Sequence, residues 1–265
     1  MGIRAHRLWA SNAKLVWELS KREISQRYKG ASLGVVWSIL NPFLMLGVYW
    51  LAFGNILRSR WPGLPSEGDF VLILFIGLLV HGFLSEVIVQ SPSLIPSNPA
   101  YVKKVVFPVA QLIWPKIVAS FFHAFMNIVV YIVFYIAIKK EFPMSALAMP
   151  FILLALLPVA AGSAWLFSAF GVYLRDLTQV VPPLSTALLF VSSAIIPVES
   201  LSPSMRSLFN LNPLTFVIDQ MRAVGFYHEL PSMAGLAVFL LCGLAFMVFA
   251  RLTFGYLRRG FADVI

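Results

Sequence analysis

This sequence has little charge. Asp, Glu, Lys and Arg make up 12% of its residues, against about 25% in a typical soluble domain. Hydrophobic residues make up 60% and the mean hydropathy is +0.85, so a single water-soluble core is excluded. Cysteine is nearly absent. The lone Cys242 lies inside an apolar run, which rules out an internal disulfide or a thiolate metal cluster and leaves a small packing residue. Catalytic and nucleotide signatures are missing too. There is no HExxH helix for a zinc-dependent protease and no GxxxxGK[ST] loop, so any ATP used would bind another chain. Gly162-Ser163 has no partner residue in sequence that would make it a nucleophile. A proton-coupled transporter should carry a carboxylate near the middle of a span, and no convincing one is present. No repeat of 20–50 residues, low-complexity tract or interdomain linker is visible. No apolar h-region precedes the first amphipathic segment, so a cleavable signal peptide is not expected.

What is present is a basic amphipathic segment running into a membrane span. Residues 14–30 are charged, whereas the run from Leu33 to Leu57, LGVVWSILNPFLMLGVYWLAFGNIL, has no charge. At about 100° per residue, Glu18, Lys21, Arg22, Ser25 and Lys29 fall on one arc. Leu15, Val16, Trp17, Leu19, Ile24 and Tyr28 take the rest, with Glu23, Gln26 and Arg27 intruding. Such a helix is expected to lie in the headgroup plane with its aromatics down, either as a plain anchor or as a lever for a partner.

A membrane span needs about 20 apolar residues. Six segments qualify: 33–57, 69–90, 108–138, 145–173, 180–198 and 233–256. Pro108 and Pro115 are expected to interrupt the third, leaving part of it at the interface. The fifth is short and opens on Pro182-Pro183. The fold class is therefore all-α integral membrane, with six spans, an N-terminal interfacial helix and short re-entrant outer helices before the last span. The organisation is a cytoplasmic N-terminus over 1–32, a transmembrane domain over 33–256 and a tail over 257–265.

Basic residues set the orientation. With both ends inside, Arg4, Arg7, Lys14, Lys21, Arg22, Arg27, Lys29, Lys103, Lys104, Lys116, Arg175, Arg251, Arg258 and Arg259 lie inside. Arg58, Arg60, Lys139, Lys140, Arg206 and Arg222 lie outside, which is fourteen against six and favours cytoplasmic termini. The net charge of +9 thus reads as topology, not nucleic-acid binding. In the outer connection 199–232, Ser202-Pro203 and Asn212-Pro213 read as two helix starts, a capping residue before Pro at the first helical position. Their apolar residues Met205, Leu208, Phe209, Phe216, Val217 and Met221 would dip into the bilayer.

Polar groups within the spans are few: Asn41, His81, Glu86, His123 and Asn127. Glu86, near the inner end of its span, is expected to snorkel or pair with a Lys, and the histidines to make helix–helix hydrogen bonds. Ala160, Ala164 and Ser168 form a small-residue ridge for close helix packing. Tyr49 and Phe53 share a helix face, suited to lipid, helix or sugar contact.

The run Arg22 to Leu46, REISQRYKGASLGVVWSILNPFLML, resembles the start of type-2 ABC transporter permeases, most closely the branch that exports O-antigen, capsule and teichoic acid. The segments NPAYVKKVVFP (Asn98 to Pro108), YLRDL (Tyr173 to Leu177) and NPLTFVIDQMR (Asn212 to Arg222) match the same family in order. The resemblance implies a homodimer in the bacterial inner membrane, served by a separate dimeric ATPase that holds ATP and Mg. It implies an ATPase-coupling segment with Asn98, Pro99, Lys103, Lys104, Phe107 and Pro108, and a gate helix with Lys21, Arg22, Tyr28 and Lys29. It further implies a channel lined by spans 1 and 5 of both copies, with Tyr49, Phe53 and Phe190 as candidates. Asn212, Pro213, Asp219 and Arg222 would belong to the outer re-entrant helices. The cargo would be a lipid-linked polysaccharide, with O-antigen favoured by the Asn41-Pro42 form; membrane lipids complete the partners. Capsule, teichoic acid, lipid or drug export remains open within the class. An ATP-independent transporter would show inverted repeats, and none is seen.

Overall fold

The computed structural model describes residues 2–52, 67–102 and 108–265, with the side chains of 2–12, 67 and 199 left aside. Among the described residues the chain is helical, without strands. Helix α1 (Gly2–Arg27) precedes α2 (Trp37–Tyr49), α3 (Glu67–Leu94) and the short α4 (Pro99–Val102). Then come α5 (Ile113–Lys139), α6 (Met149–Ala155), α7 (Leu157–Tyr173) and α8 (Leu177–Phe190). The chain closes with α9 (Pro203–Leu211), α10 (Pro213–Gly225), α11 (Met233–Leu257) and α12 (Phe261–Val264).

Among the described residues, five segments are long and apolar enough to span a bilayer: Gly34–Ala52, Gly68–Leu94, Val109–Lys139, Met144–Tyr173 and Met233–Val264. The expected fifth span of 180–198 is replaced by α8, which has 14 residues and a length of about 21 Å at 1.5 Å per residue. That is shorter than the roughly 30 Å hydrocarbon core. Pro182 and Pro183 lie inside α8 instead of opening it. Pro115 does not interrupt the third span either. It sits in the first turn of α5, where a missing N–H costs nothing because no helical acceptor exists there. The fourth span breaks at Leu156, between α6 and α7.

The core is built on α3. Largely apolar, it packs against α2, α5, α7, α8 and α10, and Val71, Leu72, Ile73, Ile76 and Val80 are fully buried. The small ridge on α7 acts as expected: Ala160, Ala164 and Ser168 are buried. One turn further, a Cβ on Gly171 would lie 2.1 Å from the carbonyl oxygen of Pro92 in α3. On its other side α7 meets α11, where Phe246 closes over Gly162.

Both helix starts read from the sequence are present. Asn212 Oδ1 accepts the Leu214 amide at 3.0 Å, and Pro203 and Pro213 open α9 and α10. Phe209, Val217 and Met221 are buried, while Met205 and Leu208 stay exposed.

Candidate functional site

Polar side chains that sequence scatters over a hundred residues meet in one cavity of about 450 Å³ between α1, α2, α3 and α5. Helix α2 contributes Trp37, Ser38, Asn41, Met45 and Tyr49, a stripe at near-helical spacing. Other apolar residues of α2, among them Ile39, Phe43, Leu44 and Val48, are exposed. Helix α3 adds Gly82, Ser85, Glu86 and Gln90, and α5 adds His123 and Asn127.

Three charged or ionisable groups converge there. Arg27 Nη1 lies 2.5 Å from Glu86 Oε1 and 2.7 Å from His123 Nδ1, while His123 Nδ1 lies 3.2 Å from the same carboxylate oxygen. Gln90 Nε2 donates to it at 3.4 Å. Glu86 thus pairs with an arginine and a histidine, not with the expected lysine. Tyr28 is buried with its ring edge-on to His123, centroids 5.9 Å apart. Burial, the larger influence, and the nearby Glu86 hold its hydroxyl above the ordinary phenol value against the opposing pull of Arg27. The other intramembrane histidine behaves as expected, with His81 Nε2 2.9 Å from the Ser185 carbonyl.

A second, smaller cleft of about 250 Å³ lies between α1, the end of α3 and the start of α5. Arg22, Glu23, Gln26, Asn98, Tyr101 and Lys116 line it, and Glu23 forms an ion pair with Lys116 across it. Asn98 Nδ2 donates to the Leu94 carbonyl at 2.8 Å, satisfying an orphan acceptor at the end of α3. Pro99 opens α4, and the Pro108 carbonyl accepts the Gln111 amide. Lys103, Lys104 and Phe107 lie outside the described residues, as does Phe53.

The polar arc of α1 faces outward as its periodicity predicts: Glu18, Lys21, Arg22, Ser25 and Lys29 are all exposed, and Lys21 pairs with its neighbour Glu18, at 3.3 Å. The opposite face docks on α5. Ser20 is 1% exposed while Trp17 is 56% exposed. The groups that intrude on the apolar arc, Glu23 and Arg27, are the ones that reach the bundle. That irregularity was the available signal, but their partners Lys116 and Glu86 carry no local pattern.

At the far end of the bundle, α10 folds back against α3 and the turn after α8. Arg222 is 4% exposed. Its Nη2 donates to the Ala194 carbonyl at 3.0 Å and its Nε to the Ile73 carbonyl at 3.3 Å. Gly77 makes room for this turn, since a Cβ there would lie 2.5 Å from the Ala194 oxygen. Asp219 accepts from Ser193 Oγ at 2.8 Å. Asn212 Nδ2 reaches the Leu188 and Val191 carbonyls at 3.2 and 2.9 Å, so one side chain caps α10 and closes α8. Pro213 lines an apolar groove of about 550 Å³ between α3, α7, α8 and α11. Phe190 ends α8 with 54% of its surface exposed, away from the polar cavity that Tyr49 lines.

The sequence as a whole has known counterparts. The ABC-2 type transporter family model matches residues 14–226. The O-antigen export system permease protein RfbA of Myxococcus xanthus is 26% identical over 253 residues, covering 95% of each chain. RfbA of Klebsiella pneumoniae is 23% identical over 249 residues, covering 93% of each. The polysialic acid transport protein KpsM of Escherichia coli is 24% identical over 224 residues, covering 83% of this chain and 85% of its own. With four-fifths of its length inside the family match, and its apolar helices long enough to span a bilayer, this integral membrane protein belongs to the ABC-2 type transporter family.

Proposed function

We propose that this chain is the permease subunit of an ATP-driven exporter that moves a lipid-linked polysaccharide, O-antigen foremost, across the bacterial inner membrane. The observation that carries the reading is the end-to-end similarity to O-antigen export permeases, 95% of each chain in one case. Two copies would form the channel, both termini would be cytoplasmic, and a separate dimeric ATPase would bind ATP and Mg.

The physical chemistry of the site supports this. A long polar polymer cannot be enclosed in one pocket. It needs many weak contacts, so that no position binds too tightly to release it. The α2 stripe offers amide, hydroxyl and aromatic groups in succession, from Trp37 through Asn41 to Tyr49. Tyr49, Phe53 and Phe190 are the proposed channel contacts. Lys21, Arg22 and Lys29, on the exposed face of α1, and the segment with Asn98, Pro99, Lys103, Lys104, Phe107 and Pro108 would meet the ATPase. Closure of that partner would then tilt α1 and widen the polar cavity. Such coupling is reciprocal: the position of α1 would also bias nucleotide binding.

The test is to purify the tagged chain from its native membrane and to delete its gene. A stoichiometric ATPase should co-purify with two copies of this chain. The deletion should remove surface polysaccharide and accumulate it inside on a lipid carrier. A polyprenyl-diphosphate carrier would mark O-antigen or teichoic acid, and another lipid anchor would mark capsule. A preparation with no ATPase, from cells whose surface polysaccharide survives the deletion, would overturn the proposal.

A further inference from the structure

Helix α1 meets the bundle through two charge contacts of opposite polarity. At the first, Glu23 of α1 faces Lys116 of α5. One helical turn on, Arg27 of α1 faces Glu86 of α3 and His123 of α5. The contacts join residues separated by 59 to 96 positions in sequence, so their convergence is a product of the fold.

We propose that Glu86 is a positioning residue: a counterion shared between α1 and the membrane bundle that, together with Lys116, latches α1 in one register and is built to let it go. Register follows from the alternating signs. A slide of α1 by one turn in one direction brings Glu23 to Glu86, and a slide in the other brings Arg27 to Lys116. Both place like charges together, which costs energy that a uniform charge pattern would not. Release follows from His123. A carboxylate with a side chain only 19% exposed, in a membrane-spanning helix, is costly without a partner. Arg27 donates to His123 Nδ1 when α1 is docked, which makes that nitrogen an acceptor. Once Arg27 leaves, the same nitrogen, 3.2 and 3.4 Å from the two carboxylate oxygens, can carry the proton and donate to Glu86 instead. The carboxylate therefore keeps a partner in both positions of α1. A static staple would need no second partner.

In a transport cycle this latch would set the resting position of α1, a consequence that rests on the proposed function; the docking itself does not. The native chain offers a clean reporter. Ser20 lies on the docked face, 1% exposed, and the single native thiol can be removed as Cys242→Ser. In a Ser20→Cys, Cys242→Ser chain in open membrane fragments, a water-soluble maleimide should react slowly. Glu86→Gln, Glu23→Lys and Lys116→Glu should each raise the labelling rate about tenfold or more, the change produced by roughly 1.4 kcal/mol. The double reversal Glu23→Lys, Lys116→Glu should restore protection, which a variant that had merely misfolded would not do. Glu86→Gln that leaves Ser20→Cys protected, or a double reversal that labels as fast as its single parents, would overturn the latch. The labelling rates do not depend on export, so the latch stands or falls by them even in a chain that moves no polysaccharide.

Discussion

Replacing Arg222 with Gln should unseat the α10 hairpin. Arg222 is nearly buried and supplies N–H donors to two backbone carbonyls, Ile73 in α3 and Ala194 in the turn after α8. The second lies in non-helical backbone, which is tolerated at membrane depth only where protein satisfies it. Stranding a buried acceptor costs about 1–3 kcal/mol, and only the Ala194 carbonyl is stranded, because the Ile73 carbonyl keeps its amide partner within α3, so the loss should cost roughly 1–3 kcal/mol. The Asp219 contact adds little. It is 3.8 Å long with the carboxylate half exposed, and exposed pairs are worth about 0–1 kcal/mol. At a few degrees per kcal/mol, melting of the detergent-solubilised protein should fall by roughly 3–10 °C. Arg222→Lys should recover only part of this, because a single ammonium cannot reproduce the guanidinium fork. Asp219→Asn should stay near the parent, since its oxygen still accepts from Ser193. An Arg222→Gln protein that melts within about 1 °C of the parent would refute the claim that the Ala194 carbonyl depends on Arg222.

Three other perturbations follow from packing and burial. Gly171→Ala forces a Cβ against the Pro92 carbonyl and should cost about 1–3 kcal/mol, whereas Gly47→Ala, with nothing within 4 Å, should be neutral or slightly stabilising; paired melting curves check this. Lys139→Met removes the cation 2.6 Å from the fully buried Asp69 and should cost about 3 kcal/mol or more. Adding Asp69→Asn should recover part of that loss in the same melt, and a double variant less stable than the single would argue against the pair. Cys242 is exposed in the apolar groove on α11, so in native membranes a lipid-soluble maleimide should label it and a membrane-impermeant one should not; efficient labelling by the impermeant reagent would place that face of α11 in water.

How much of the site was legible depended on whether its signal was local. The helix starts at Pro203 and Pro213 and the cap at Asn212 were readable because capping is a contact within three residues; the expected cap at Ser202 makes no such bond. The exposed arc of α1 was readable because helical periodicity is local too. The ion pair of Glu86 was not, since its two partners lie 59 residues before it and 37 after it. Nor was the second duty of Asn212, whose side chain also closes a helix 21–24 residues upstream. Proline misleads twice. Pro115 and Pro182-Pro183 look like breaks in the sequence, but Pro115 sits where no donor is needed, and α8 carries its pair inside the helix.

Composition and periodicity suffice to place this chain in a membrane, to locate most of its apolar helices, and to give its first helix one face for water. The family resemblance is carried by the sequence as well. Which helix forms the core is not. The windows in α3 and α11 have nearly equal mean hydropathy, 2.4 and 2.5, yet 72% of one is buried inside the protein and 11% of the other. Hydropathy measures transfer out of water, and a protein interior and a lipid tail are about equally apolar. What separates the two helices is the close backbone approach that Gly77 and Gly171 allow, together with the buried Asp69 and partly buried Glu86 that α5 and α1 must neutralise. Those are contacts between segments far apart in the chain, and they exist only once it has folded.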